Sequence, residues 1–348
     1  MKQLFPKALL YKEWKNARWG FVLITFFLVL SNLLEAMQRL SYLKELANRG
    51  ELEVTNHAYW LQLSLYGNDG VFAWLFILTA ALAFLLFYQD RQGATASLIT
   101  SMPFTKEQAF NVKWLTGAGV IVGAFLVNGL LFTGFYFANR SWMFETPYQV
   151  IPTWTAIALA FALAAFSFLL FVQCAMGHSL AAAVVGPIAS LVPWFVLSGL
   201  RDIIFDRFGL SYHNALINWL SRAANAVAWP RLLLPVYVLS PSGIYYTGYD
   251  NVPGRVLVMV IIAAICMWLG RVAYRKSAVE KSGQLLMFSS LEPVLIYGFA
   301  ICLSLLVSLV FGRGFVAEDN VLVMDAFLLA GFIGGWWLAK RVVVYYQH

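Results

Sequence analysis

Few side chains in this 348-residue sequence have the type and spacing that chemistry needs. Gly177-His178-Ser179 sets a hydroxyl beside an imidazole, the pair a serine hydrolase uses. Ser179 would need a histidine base from another helix at its own depth, and no other apolar stretch contains one. A Gly-His-Ser run between two apolar stretches reads instead as a turn with a helix N-cap. The other histidines, His57, His213 and His348, lie far apart, and neither an H-E-x-x-H motif nor a Cys/His cluster is present, so no metal site is expected. No G-x-x-x-x-G-K-[ST] loop occurs, which excludes ATP binding by a P-loop. Cys174, Cys266 and Cys302 fall in or at the ends of apolar stretches and have no neighbours suited to thiol chemistry or to a structural disulfide. Asp325 is an acid inside an apolar stretch, about one turn from its end. Such a carboxylate faces a substrate or a proton path, or it reaches the headgroups or pairs with Arg313; its shallow depth favours the structural role.

The elements that would position these residues are membrane spans. Hydrophobic residues make up 61% of the chain and charged residues 12%, against about 25% charged in a soluble domain. Eight runs are long enough to cross a bilayer core: 20–37, 70–88, 114–137, 153–175, 180–199, 254–274, 294–312 and 321–339. This predicts an all-α polytopic protein built as one transmembrane domain over 1–348, with the lipid bilayer as its main partner. The net charge of +7 does not point to nucleic acid. With the N-terminus in the cytoplasm, the inner segments 1–19, 89–113, 176–179, 271–292 and 340–348 hold 14 of the 24 Lys and Arg. They hold only five acids: Glu13, Asp90, Glu107, Glu280 and Glu292. That asymmetry predicts both termini in the cytoplasm. Single cysteines at 51, 142, 246 and 314 should therefore react with an impermeant thiol reagent added to intact cells, and cysteines at 106 and 281 should not. Labelling at 106 or 281, or none at 51, overturns the eight-span topology.

Residues 6–19 place Pro6, Leu10, Trp14, Ala17 and Phe21 at helical spacing opposite Lys12, Lys15 and Asn16, which predicts a helix lying in the cytoplasmic interface over 1–19. Between the second and third runs, 89–113 breaks the apolar rhythm. Residues 93–102 suit a short helix stopped by Pro103, and Thr105 with Gln108 forms a capping box that starts the next helix near Lys106. Leu98, Met102 and Phe104 are apolar groups on this knob with no span to join. The long outer segment 200–253 is cut by Pro230, Pro235 and Pro241, which predicts short interfacial or re-entrant helices forming a lid. Segment 271–292, basic and then apolar, is expected along the inner membrane surface as a link to the last two spans. Small residues mark close helix packing. Gly119/Gly123 and Gly331/Gly335 form G-x-x-x-G pairs, and Ala182, Gly186, Ala189 and Pro193 share a face of the fifth span suited to packing or gating.

The run Gln89-Asp90-Arg91, then Leu98-Ile99-Thr100-Ser101-Met102-Pro103-Phe104-Thr105-Lys106 and Lys113, resembles the permease subunits of type-2 ABC exporters. In those, an acid after the second span leads to a leucine–x–x–serine–x–proline element and a conduction-linked helix. The segment Tyr274-Arg275-Lys276, Glu280-Lys281-Ser282-Gly283, Phe288 and Pro293 is similar to the link before the last two spans of the eight-span Ytr-type permeases of Gram-positive bacteria, which are tied to cell-envelope stress. The resemblance implies a permease in the bacterial cell membrane and a second permease, identical or different. It also implies separate cytoplasmic ATPase subunits that carry the ATP and magnesium, this chain holding no cofactor and no catalytic site. By the same likeness Asp90, Leu98, Met102, Pro103, Phe104 and Lys106 would couple to the ATPase. The competing classes are an ion-gradient-driven transporter, which needs ionisable groups at midplane, and a membrane sensor or assembly subunit.

Overall fold

The computed structural model describes residues 7–53, 57–67, 69–91, 104–211, 213–239, 245–277, 283–312 and 321–347. Among them the protein is an all-α polytopic membrane protein, with eight helices long and apolar enough to cross a bilayer. All eight expected runs match these spans to within one residue at their overlapping ends. The helices are α1 (Lys7–Leu28), α2 (Glu35–Asn48), α3 (Trp60–Tyr66), α4 (Asp69–Tyr88), α5 (Lys106–Ala138), α6 (Val150–Ala175), α7 (Ser179–Phe208), α8 (Ala215–Val227), α9 (Val252–Lys276), α10 (Glu292–Val307) and α11 (Val321–Gln347). A π turn over Val29–Leu34 joins α1 and α2 into one 42-residue helix. At about 1.5 Å per residue this rod exceeds the roughly 30 Å hydrocarbon core twofold, and α5, with 33 residues, exceeds it by half. Both must project well beyond the bilayer.

The chain groups into two compact units, one of residues 1–172 with 232–275, the other of 173–231 with 276–348. The core of the first unit lies around α6, where Trp154, Ile157, Phe161, Phe166, Leu169 and Leu170 are all buried. Phe166 fills the groove beside Gly117 of α5: a Cβ at that glycine would sit 2.0 Å from the ring, so a larger residue must displace the ring. In the second unit α10 and α11 touch through backbone. A Cβ on Gly331 would lie 2.8 Å from the Ser304 Cα, and one on Gly335 2.9 Å from the Ala300 Cα. The Ser304 hydroxyl donates to the Leu328 carbonyl at 2.7 Å across the same seam. The Gly331/Gly335 pair thus packs within the chain, whereas Gly119 faces open space and Gly123 meets the Phe21 ring.

Local expectations change in α1 and in segment 200–253. The interfacial stretch is not a separate element, because α1 runs unbroken from Lys7 into the first span. Gly20 does not break it, since it fits against Leu82. Its inward line is Leu9, Glu13, Ala17, Gly20, Ile24 and Leu28, one residue away from the apolar line read from sequence, and Trp14 is 47% exposed. In a bilayer the large apolar side chains face lipid while small and paired polar ones face the protein, so the apolar stripe marked the outside. In segment 200–253, α7 extends to Phe208 and stops at Gly209, whose φ of 54° closes the helix in the left-handed region. Helix α8 follows, capped by the Asn214 side chain. The proline-cut half then forms an antiparallel ribbon, not re-entrant helices: β1 (Val236–Leu239) pairs with β2 (Tyr245–Gly248), Val236 opposite Gly248 and Leu239 opposite Tyr245. Val, Tyr, Val and Leu favour extended backbone, and prolines spaced this closely deny a helix its bonds. In the 271–292 link, the apolar part packs on protein. Leu285, Leu286 and Met287 are buried and bond to the turn after α6, Gly177 N–H to Leu285 C=O at 3.1 Å and Met287 N–H to Ala175 C=O at 3.0 Å.

Candidate functional site

The chemistry of this protein is concentrated where α1, the end of α4 and the start of α5 meet. Lys113 sits on the inward face of α5, its side chain 1% exposed. Its ammonium donates to Glu13 Oε1 at 2.9 Å and Oε2 at 3.0 Å on α1, and to the Leu86 carbonyl at 2.6 Å on α4. A third acceptor direction is met by Asp90, in the 3-10 turn Gln89–Arg91 that ends α4. An ammonium has three protons, and here each finds an acceptor from a different element. Lys12 Nζ lies 2.6 Å from the second Asp90 oxygen and 3.6 Å from Glu13, so two lysines balance two carboxylates. The Phe87 ring closes the site, 5.3 Å from the Lys113 nitrogen and 5.1 Å from the Arg91 guanidinium.

Burial and pairing oppose each other here, and pairing decides. Burial raises the Asp90 carboxyl, but the charges of Lys113 and Lys12 and their hydrogen bonds outweigh it and hold the group below the ordinary carboxylate range. A depressed carboxylate contributes stability that is fully present above its unfolded pKa, about 3.9, and is lost as pH falls through the folded value. Thermal unfolding should therefore keep this contribution at pH 5 to 7 and lose it in the acid limb below about pH 4. An Asp90→Asn variant should be less stable at neutral pH and flatter in that limb; an acid limb as steep as wild type would contradict the pairing.

A second clamp holds the same end of α5. The capping box forms as expected, with Gln108 N–H donating to the Thr105 hydroxyl at 3.2 Å and Thr105 N–H to the Gln108 side chain at 3.0 Å. Glu107, in the first helical turn where the macrodipole favours an acid, accepts from Arg271 at 2.7 Å and Arg275 at 3.3 Å on α9. Phe110 presses on Gly270, where a Cβ would lie 2.8 Å from the ring, and Tyr274 packs against both Phe87 and Phe110. Three of the five inner acids thus tie a helix to bases on other helices.

Of the residues expected to couple, Asp90 is in the network and Lys106 opens α5 as an exposed residue. Phe104 is half-buried just ahead of it. Leu98, Met102 and Pro103, with the expected 93–102 helix, lie outside the described residues. On α7, Ala182 and Gly186 are buried, Ala189 is intermediate and Pro193 is exposed; the buried line is Ser179, Ala182, Gly186, Ser190, Gly199 and Ile203. His178 is the N-cap of α7, its ring nitrogen accepting from Ala181 N–H at 3.2 Å. Asp325 pairs with Arg207 of α7 at 2.9 Å; Arg313, a partner the sequence offered, lies outside the described residues. Sequence reasoning passed over Glu13 and Lys113 as members of one site. The available signal was a lone acid on the helix side next to an apolar line, and a lysine at the mouth of a span.

No family model matches the chain, and no solved structure matches it. It is similar to the probable ABC transporter permease YtrC of Bacillus subtilis (strain 168), 20% identical over 310 residues that cover 86% of this chain and 87% of that protein. A likeness that runs through nearly the whole of both chains supports, at the level of the family, an ABC transporter permease.

Proposed function

We propose that the chain is the membrane subunit of an ATP-driven ABC exporter, with ATP and magnesium held by a separate cytoplasmic ATPase and a second permease completing the pathway. The single observation that carries this reading is the placement of the two clamps. They bracket 92–103, one fixing Asp90 before it and Lys113 after it to α1, the other fixing Glu107 to α9. A push received on that segment would pass into α4 and α5 through ion pairs and packed rings, not through a loose loop. The length of α5 past the bilayer gives the lever. On this reading both termini are cytoplasmic and the protein acts in the cell membrane, with its transport linked to cell-envelope stress.

An ion-gradient mechanism is less well supported. Asp325, the acid best placed for it, is committed to Arg207 near the ends of α7 and α11. The test is to purify the tagged chain in detergent from the membranes of its native host and identify the proteins that come with it. An ABC ATPase should copurify in stoichiometric amount. A chain that purifies folded and never retains an ATPase contradicts the proposal.

A further inference from the structure

The second unit holds a cavity of about 350 Å³ between α7 and α8, closed at one side by Leu309 of the π turn Ser308–Gly312 that follows α10. One part of its wall is apolar, with Trp194, Phe195, Ala224 and Leu309; the other carries Arg201, Asp202, Ser221, Asn225 and Arg231. Two guanidiniums and one carboxylate leave a formal excess of one positive charge. Arg201 is committed to Asp202, with Nε at 2.8 Å from Oδ1. Arg231 is different: it stacks over the Trp194 ring at 5.7 Å and donates one bond, at 2.7 Å, to the neutral Asn225 side chain. That contact and that bond hold the exposed guanidinium at the cavity wall, and its charge meets no acid among the described residues. A guanidinium has five N–H donors in a fixed fork that matches phosphate and carboxylate.

We propose that this cavity binds an anionic amphiphile, its phosphate or carboxylate head on Arg231 and the first part of its chain against Trp194, Phe195 and Leu309. The volume lies at the small end of the usual range for ligand sites, room for a head group and a short apolar stretch. The site stands whether or not the chain drives transport with ATP, because it uses only residues of this chain. On the proposed topology it opens at the outer side of the membrane, between the last turns of α7 and the amphipathic α8.

Dodecyl phosphate is the probe, titrated by calorimetry into the purified full chain in dodecyl maltoside, with dodecylphosphocholine and inorganic phosphate as the other arms. Dodecyl phosphate should bind at least tenfold tighter than either, because only it supplies both an uncompensated anion and a chain. Arg231→Gln should weaken it about tenfold or more, the scale of one charge-assisted hydrogen bond. Arg231→Lys, which keeps the charge, should retain most of the binding. Ser221→Phe, which fills the cavity and leaves every charge in place, should abolish it. Equal binding of dodecylphosphocholine overturns the anion preference, and equal binding of inorganic phosphate overturns the amphiphile. Wild-type affinity in both Arg231→Gln and Ser221→Phe overturns the site itself.

Discussion

Replacing Lys113 by methionine should cost about 3–5 kcal/mol of stability, the largest effect expected of any single change in the first unit. Methionine matches the volume of the lysine stem, so no cavity is made. What is lost is the counter-charge: Glu13, 1% exposed, and Asp90, 9% exposed, are left facing each other. Thermal unfolding of the purified chain in detergent should fall sharply. The double variant Glu13→Gln with Lys113→Met should recover part of the loss, because it removes an acid along with the base, and the coupling between the two should be of order 1–3 kcal/mol. Lys12→Met is the contrast. Its side chain is 32% exposed, and the measured worth of such partly solvated pairs is below about 1 kcal/mol. Lys113→Met that melts like wild type would mean that the buried charges do not hold α1, α4 and α5 together.

Gly331→Leu should break the α10–α11 pair, at a cost toward the upper end of the 1–3 kcal/mol typical of overpacking or beyond it. The atoms in the way are the Ser304 Cα and the Leu303 carbonyl, backbone that cannot rotate aside. Gly334→Leu, three positions along the same helix with nothing within 4 Å, should stay within about 0.5 kcal/mol of wild type. Ser304→Ala loses the hydroxyl bond to Leu328 and should cost less than about 1 kcal/mol, since bonds between membrane helices average about 0.6 kcal/mol. Unfolding of the three variants in one detergent separates backbone packing from hydrogen bonding. Equal stability of Gly331→Leu and Gly334→Leu would contradict the close crossing.

The spans were legible because hydropathy over 18 or more residues depends on the lipid alone, and all eight lie where the sequence places them. The capping box at Thr105 was legible because its partners are three residues apart. What was not legible depends on which way a helix faces. The line Leu10, Trp14, Phe21 looked like the packed side of α1 by the logic of soluble helices, yet the packed side carries Glu13, Ala17 and Gly20. Glu13 and Lys113 are 100 residues apart, and nothing local in either segment names the other. The pairing of 236–239 with 245–248 and the burial of Leu285–Met287 had the same origin: both are fixed by backbone bonds to partners further along the chain, which composition does not record. Asp325 pairs with Arg207, 118 positions away, and nothing local in either segment names the other.

The central claim is that an ATPase works on this chain through the segment between the second and third spans, and ATP hydrolysis by the reconstituted complex tests it most directly. The measurement compares wild type with Met102→Ala/Phe104→Ala, in proteoliposomes that contain equal amounts of chain and ATPase. Phe104 lies just ahead of α5 and is not among the partners of Lys113, and Met102 is outside the described residues; the variant should insert and fold as wild type does. Interfaces are dominated by a few large apolar anchors, so losing two should remove most of the binding. The account predicts that the ATPase dissociates from the double variant, or stays bound with its rate no longer altered by the permease. An ATPase bound and stimulated by the double variant as by wild type would contradict it.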